Sequence, residues 1–138
     1  MTWWSYRARW RGVEYTVNPD SGPDGLLLRL FGHEGGDGFE EVAPGVYVRA
    51  VPVTECEVFV YVTTVCEWSR LPCQVSASRG DELLLEYTGG RAPVARFHGF
   101  ERIERGVYRR WVPREEVRAL RENTLVLHPA EPDQALPG

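Results

Sequence analysis

One segment occurs twice in this chain of 138 residues, and the repetition limits the folds that the chain can adopt. Residues 38–52 read GFEEVAPGVYVRAVP, and residues 99–113, 61 positions later, read GFERIERGVYRRWVP. Upstream, Trp10 recurs as Trp68 at a spacing of 58. The spacing changes inside Gly- and Pro-rich stretches, where loops tolerate insertions. We therefore predict two diverged copies of one module of about 60 residues.

Alternation of apolar and polar residues predicts strands in the first copy. Arg11-Gly12 lies at the centre of such a stretch, and this favours a two-residue hairpin turn. The opposed pairs predicted by that turn are Trp10 with Val13, Ala8 with Tyr15, and Tyr6 with Val17. Because the side-chain period of a strand is two, these pairs lie on one face and are candidates for the core.

The second copy predicts the same hairpin around Ser69-Arg70, with Cys66 opposite Cys73. Residues opposed in this way have Cα atoms about 5.5 Å apart, which is within the range of a disulfide. The first copy has Ala8 and Tyr15 at these positions, so both are core positions. Two buried thiols are therefore favoured over a disulfide or a redox switch.

Further strands are predicted at equivalent places of the two copies. One strand covers 26–31 in the first copy and 83–87 in the second, and a later strand ends at Pro52 in the first copy and at Pro113 in the second. A single 3₁₀ turn is predicted near 53–56, and a short helix-like stretch over 114–122, where Val117 and Leu120 are one helical step apart. The closing strands are predicted over 58–62 and 124–127. Since 57–68 is almost unbroken strand-forming sequence, we expect no linker between the copies.

A unit with five short strands and a helical turn before the last strand resembles the SH3-like barrel. The resemblance implies a mainly β fold with two small barrels in tandem, from an internal duplication, and one short helix near the C-terminus. The ranges are 1–62 for the first repeat, 63–127 for the second, and 128–138 for a disordered tail. The whole chain also resembles small uncharacterised actinobacterial proteins.

Composition narrows the partners that the chain is expected to bind. The formal net charge is −4, which argues against general binding to polyanions. All 16 basic residues are Arg, a side chain suited to carboxylates, phosphates and aromatic rings. No signal peptide or membrane-spanning run is visible, and three Cys are too few for a secreted disulfide framework. The simplest interpretation is a cytoplasmic protein that does not bind membranes.

Motifs for catalysis or metal binding are missing from the sequence. The spacings His-x-x-x-His and Cys-x-x-Cys do not occur. The repeated acids Glu40 and Glu101 are better explained by architecture than by acid–base chemistry. The Gly-rich loop 32–38 is acidic and does not match a phosphate loop, although a weak cation site there stays an alternative. We expect no enzymatic activity, cofactor or metal.

Binding is therefore the expected function, through residues rich in Arg and Trp. Arg and Trp dominate binding hot spots, and the second copy has gained both where the first has Val and Ala. The candidate binding residues are Trp111, Arg109, Arg110, Arg114, Arg105, Trp3, Trp4, Arg7 and Arg9. The alternative structural interpretation is that Trp111 seals a barrel and the arginines form a solvated face.

The first hypothesis is a protein-binding module that acts through a rigid tandem barrel, such as an adaptor or a small inhibitor of the immunity-protein type. The alternative is a nucleic-acid-binding protein that uses the Arg and Trp residues of the second copy, because many SH3-like barrels bind RNA or DNA. The oligomeric state is not determined by the sequence.

Overall fold

The structure is a computed structural model, and it describes residues 3–36 and 38–129. In these residues the fold is mainly β, with one short helix, α1 (Ala92–Phe97), and 3₁₀ turns at Val53–Glu55 and Arg114–Glu116. The strands are β1 (Trp4–Trp10), β2 (Val13–Gly22), β3 (Gly25–Gly32), β4 (Glu40–Ala43), β5 (Val46–Pro52), β6 (Val58–Trp68), β7 (Leu71–Arg79), β8 (Glu82–Tyr87), β9 (Glu101–Glu104), β10 (Val107–Pro113) and β11 (Arg118–His128).

The secondary structure repeats along the chain as the sequence does. The strands β4 and β9 begin at Glu40 and Glu101, 61 residues apart, and β5 and β10 begin at the same spacing. The two 3₁₀ turns begin at Val53 and Arg114, which are also 61 residues apart. The predicted 3₁₀ turn after Pro52 is therefore confirmed.

Both predicted hairpins are confirmed with their registers. Ala8 lies opposite Tyr15, and Cys66 lies opposite Cys73. The central turn residues have positive φ, 51° at Arg11 and 78° at Gly12 in the first hairpin. Two positive φ values define the type I′ turn, whose twist matches that of the strands it joins. Ser69 and Arg70 adopt the same conformation without a glycine.

The strands form one large antiparallel sheet with the order β4-β5-β3-β2-β1-β6-β7-β8-β10-β9, and β11 pairs with β6. Strand β6 runs without a break from Val58 to Trp68, as predicted from the absence of a linker. Strand pairing within the described ranges reveals no closed barrel. The fold class is thus mainly β, as predicted, and the two tandem barrels stay a prediction.

The helix-like stretch predicted over 114–122 is present only as the 3₁₀ turn Arg114–Glu116, and the prediction is wrong for the residues that follow. After the 3₁₀ turn the chain enters β11 at Arg118, and Leu120 is 44% exposed. Pairing with β6 satisfies backbone groups that a helix would have satisfied internally. The helix of the structure is instead α1, inside the stretch between β8 and β9, with a proline in its first turn, where the missing N–H costs nothing.

The described chain divides into two compact units. The N-terminal unit contains Ser5–Val62 and residues 124–129, and the C-terminal unit contains Thr63–Asn123 with Trp3 and Trp4. The predicted repeat ranges, 1–62 and 63–127, stay predictions. From residue 130 onward the predicted disordered tail lies outside the described residues. In the part of the chain that the structure describes, no helix has the length and hydropathy of a membrane span.

Each unit has its own core, made of inward residues of its strands. In the N-terminal unit the fully buried residues include Leu28 and Leu30 on β3. In the C-terminal unit Leu83 and Leu85 hold the corresponding positions on β8. Burial of such side chains stabilises a fold by about 2 kcal/mol each.

Candidate functional site

A repeated cluster around a tryptophan explains why the duplicated segment was preserved. In the C-terminal unit the Phe100 ring meets the Trp68 ring edge-on, with centroids 5.7 Å apart. The Arg110 guanidinium carbon lies 4.8 Å from the Trp68 centroid. The indole N–H of Trp68 donates a hydrogen bond to Glu116 Oε1 at 3.0 Å. The candidate binding residue Arg110 is therefore part of a structural cluster.

Gly99 completes this cluster, because any other residue there would be strained and would displace the Arg110 side chain. Its φ is +79°, a conformation that side chains with a Cβ rarely adopt. A Cβ at Gly99 would also collide with Nη1 of Arg110. Arg110 Nη1 in turn donates a hydrogen bond to the carbonyl oxygen of His98, just after α1. The repeated Gly-Phe pair and the repeated Arg thus hold one another in position.

The N-terminal unit contains the same cluster. Phe39 meets Trp10 edge-on at 6.2 Å, and the Arg49 guanidinium carbon lies 4.8 Å from the Trp10 centroid. Gly38 has a φ of +80° and lies against Arg49. Since both copies keep this arrangement, it is an architectural feature of the repeat.

The outer face of the C-terminal unit carries Trp111. Along β10 the side chains of Tyr108 and Val112 are buried, so the alternation of the strand puts Arg109 and Trp111 on the opposite face. Trp111 lies opposite Leu84 on β8, and Leu84 lies opposite Ala77 on β7. These three half-buried residues form an apolar row that we call the Trp111 surface.

An arginine covers the Trp111 ring. The Arg79 guanidinium carbon is 4.0 Å from the ring centroid, and Arg79 Nε is 3.0 Å from Glu82 Oε1. At an exposed site such stacking is worth about 0.5–1 kcal/mol. Because Arg79 is an exposed, flexible side chain, it can move aside when another molecule covers the ring.

Arg109 has acidic neighbours on both sides. It lies opposite Glu86 on β8 and opposite Glu101 on β9, and its Nε donates to Glu86 Oε1 at 3.2 Å. The positive charge beside Trp111 is therefore compensated by a carboxylate within the sheet.

The other two candidate binding arginines of this unit, Arg105 and Arg114, lie apart from the Trp111 surface in the chain. Arg105 is exposed in the turn between β9 and β10, where it lines an open groove of about 300 Å³ with Tyr87 and Tyr108. Arg114 is exposed in the second 3₁₀ turn, and its guanidinium carbon is 5.9 Å from the Trp3 centroid.

The N-terminal candidates have different environments. Trp3 is 8% exposed in the core of the C-terminal unit, whereas Trp4 is 49% exposed. Thr64 N donates a hydrogen bond to Trp3 O at 3.0 Å, which ties the segment to β6. In the N-terminal unit Arg7 is half-buried, with its Nε 3.2 Å from Ser5 Oγ, and Arg9 is exposed. Trp3 is thus a core residue.

Sequence reasoning missed two features. One is an open groove of about 730 Å³ in the N-terminal unit, lined by the rings of Trp10, Tyr15, Phe31 and Phe39. The other is Phe97 on α1, which is 86% exposed. The predicted hairpin already brings Trp10 and Tyr15 to one face, but the groove depends on the path of the loop after β3, which no residue pattern determines.

The side chains of Cys66 and Cys73 lie in the core and are shielded from solvent. Cys66 and Cys73 are 2% and 1% exposed, and both are free thiols in the structure. Burial raises the pKa of Cys66 to about 11 and that of Cys73 to about 12. Thiols held in the protonated form are poor nucleophiles and poor metal ligands.

Metal-binding geometry is also not found among the residues that the structure describes. Within residues 3–36 and 38–129, no three His, Cys, Asp or Glu side chains converge to form a metal site. Tyr47 has a raised pKa because it hydrogen-bonds Glu41, but it lies on the surface beside the loop after β3.

The comparisons with known proteins give a family without an assigned activity. The family model "Uncharacterised conserved protein UCP033725" matches residues 6–128, from β1 to the end of β11. No curated protein and no solved structure is significantly similar to the chain. Since the match includes both copies of the repeat, the chain belongs to the conserved protein family UCP033725.

Proposed function

We propose that this chain is a cytoplasmic, non-enzymatic protein-binding module, an adaptor or a small inhibitor such as an immunity protein, that binds its partner through the Trp111 surface. The proposal includes the finer description of the fold, two SH3-like barrels derived from a duplication. The observation that carries it is the row Trp111–Leu84–Ala77, an aromatic anchor with apolar neighbours on an outer sheet face.

Divergence between the copies supports this choice of surface. Position 111 corresponds to Ala50 in the first copy, and position 109 corresponds to Val48. The core residues around them are kept, such as Val51 and Val112. A small residue replaced by Trp on an outer face adds apolar area in contact with water, and large aromatic side chains are the usual anchors of protein interfaces.

The charge pattern favours a protein over a nucleic acid. Arg109 is paired with Glu86, and Arg79 is paired with Glu82, so a carboxylate accompanies both the arginine that stacks on Trp111 and the arginine on the same face of β10. Phosphate binding relies on arginines and lysines whose charge is not already neutralised. An interface anchored by Trp needs no such excess of positive charge.

Affinity capture separates the two functions. The tagged full-length chain is incubated with host lysate in four samples, with and without nuclease, at about 50 mM and about 200 mM salt. We expect a protein partner that is retained in all four, because apolar burial depends weakly on salt. A phosphate-dominated complex loses about a thousandfold in affinity over this range. Recovery of nucleic acid alone, lost with nuclease or salt, would refute the proposal.

A further inference from the structure

The aromatic groove of the N-terminal unit is an open site within a single unit. Phe39 stacks on Tyr15 with centroids 5.8 Å apart, and Trp10 lies 6.4 Å from Tyr15. Trp10 is 4% exposed, whereas Tyr15, Phe31 and Phe39 are only half-buried. The volume of about 730 Å³ is within the range of pockets that hold ligands.

The second copy shows what covers the equivalent rings. In the C-terminal unit Phe100, the counterpart of Phe39, is 4% exposed, and Ala95 of α1 is fully buried in the same core cluster. The backbone N–H of Phe100 donates to Ala95 O at 3.0 Å. In the C-terminal unit, the small side chain of Ala95 on the short helix α1 is therefore packed in the core that buries Phe100.

The corresponding connection of the N-terminal unit is shorter. Strand β3 ends at Gly32 and β4 begins at Glu40, and the described residues between them contain no helix. In the C-terminal unit the same connection runs from Tyr87 to Glu101 and includes α1. The first copy thus leaves uncovered a surface that the second copy fills from its own chain.

Charge indicates the kind of segment that fits. The helix of the second copy is basic at both ends, with Arg91 before it and Arg96 within it, and Arg96 lies 5.9 Å from the Tyr108 ring centroid. The charged side chains that line the open groove are two exposed acids, Glu14 on β2 and Glu34 on the loop, and one arginine, Arg11, whose guanidinium carbon lies 4.2 Å from the Trp10 centroid, so the acids outnumber the base. Opposite charges favour encounter and orientation of such a segment.

We propose that this groove binds a short helical segment of another protein that is basic and presents small apolar side chains, in the manner in which α1 covers Phe100. The bound segment places an Ala or Val against Phe39, and its flanking arginines meet Glu14 and Glu34. This site is independent of the Trp111 surface, which lies on the other unit.

The test uses the full-length protein and a synthetic peptide with the sequence of residues 90–98, GRAPVARFH. Amide and indole NMR signals are followed while the peptide is added. We expect saturable shifts at Gly32, Gly35 and the Trp10 indole. Glu34→Arg should weaken binding about threefold to fivefold, as for a rim ion pair, and a peptide with both arginines changed to glutamate should recover affinity for that variant.

Matched control variants show whether the shifts come from binding in this groove. Glu104→Arg makes the same charge change on β9 of the C-terminal unit and should leave binding unchanged. Trp111→Ala should also leave it unchanged, so failure here and failure of the Trp111 surface can be told apart. The proposal is overturned if no saturable shift occurs up to millimolar peptide, if both peptides bind the wild type equally, or if an oligonucleotide shifts the same signals.

Discussion

The guanidinium carbon of Arg110 lies 4.8 Å from the centre of the Trp68 ring, and Arg49 lies at the same distance from Trp10 in the other copy. The pair joins β10 to β6 in one case and β5 to β1 in the other. Residues this far apart in the sequence keep their contact only if the surrounding strands keep their registers. The repeated arginine is thus explained by packing on an indole.

Removal of the Arg110 side chain should therefore destabilise the protein. Arg110→Ala loses the stacking on Trp68 and the hydrogen bond to His98 O. Together these contributions are worth about 2 kcal/mol. Urea unfolding measures the loss, with Arg102→Ala, an exposed arginine on β9, as the control that should change stability by less than about 0.5 kcal/mol. Equal effects of the two substitutions would contradict the structural role of Arg110.

Two glycines with the same φ provide a second test. Gly99 and Gly106 both have φ of +79°, but a Cβ at Gly106 meets no atom within 4 Å, whereas one at Gly99 meets Arg110. Gly106→Ala should cost about 1 kcal/mol, the strain of a left-handed residue alone. Gly99→Ala should cost clearly more, since Arg110 must leave Trp68. Thermal unfolding measures the loss of stability in each variant. The same loss in both variants would show that the contact of Arg110 with Trp68 contributes little to stability.

The thiols of Cys66 and Cys73 should make stability depend on pH above about 9. Their pKa values are raised from 9.0 to about 11 and about 12 in the folded state. A group with a raised pKa contributes its stability in full below its unfolded value and loses it as pH rises through the folded value. The unfolding free energy should fall between pH 9 and pH 12.

The control for this pH dependence is the variant Cys66→Ala with Cys73→Val. Ala is the residue at the position equivalent to Cys66 in the first copy, so this substitution suits the core. The pH dependence between 9 and 12 should become smaller in the double variant. An unchanged slope would assign the effect to other groups.

The fold could be predicted from the sequence where a short turn and the alternation of apolar residues determine the pairing of neighbouring strands. A two-residue turn at Arg11-Gly12 leaves one register for β1 and β2, and the core pairs follow from that register. The helix α1 was not predicted because six residues make too little periodicity to recognise. The predicted helix over 114–122 was wrong because a spacing of three between Val117 and Leu120 does not distinguish a helix from an irregular strand.

The candidate site could be predicted only in part. The alternation of β10 was readable in the sequence, and it separates Arg110 from Arg109 and Trp111. The burial of Trp3 was not readable, because it depends on tertiary packing with residues of β6–β8 and β10. The aromatic groove likewise arises from tertiary structure, where a short loop replaces the helix of the other copy.

The central claim, that Trp111 anchors a protein partner, is tested most directly by comparing Trp111→Ala with Phe97→Ala. Both substitutions remove an aromatic ring from the C-terminal unit, and Phe97 is 86% exposed and lies outside the Trp111 surface. The measurement is the affinity of each variant for the protein captured by the wild type in nuclease-treated lysate. We predict that Trp111→Ala binds about thirtyfold more weakly, as for a hot-spot residue, and that Phe97→Ala binds normally. Normal binding by Trp111→Ala would contradict the account.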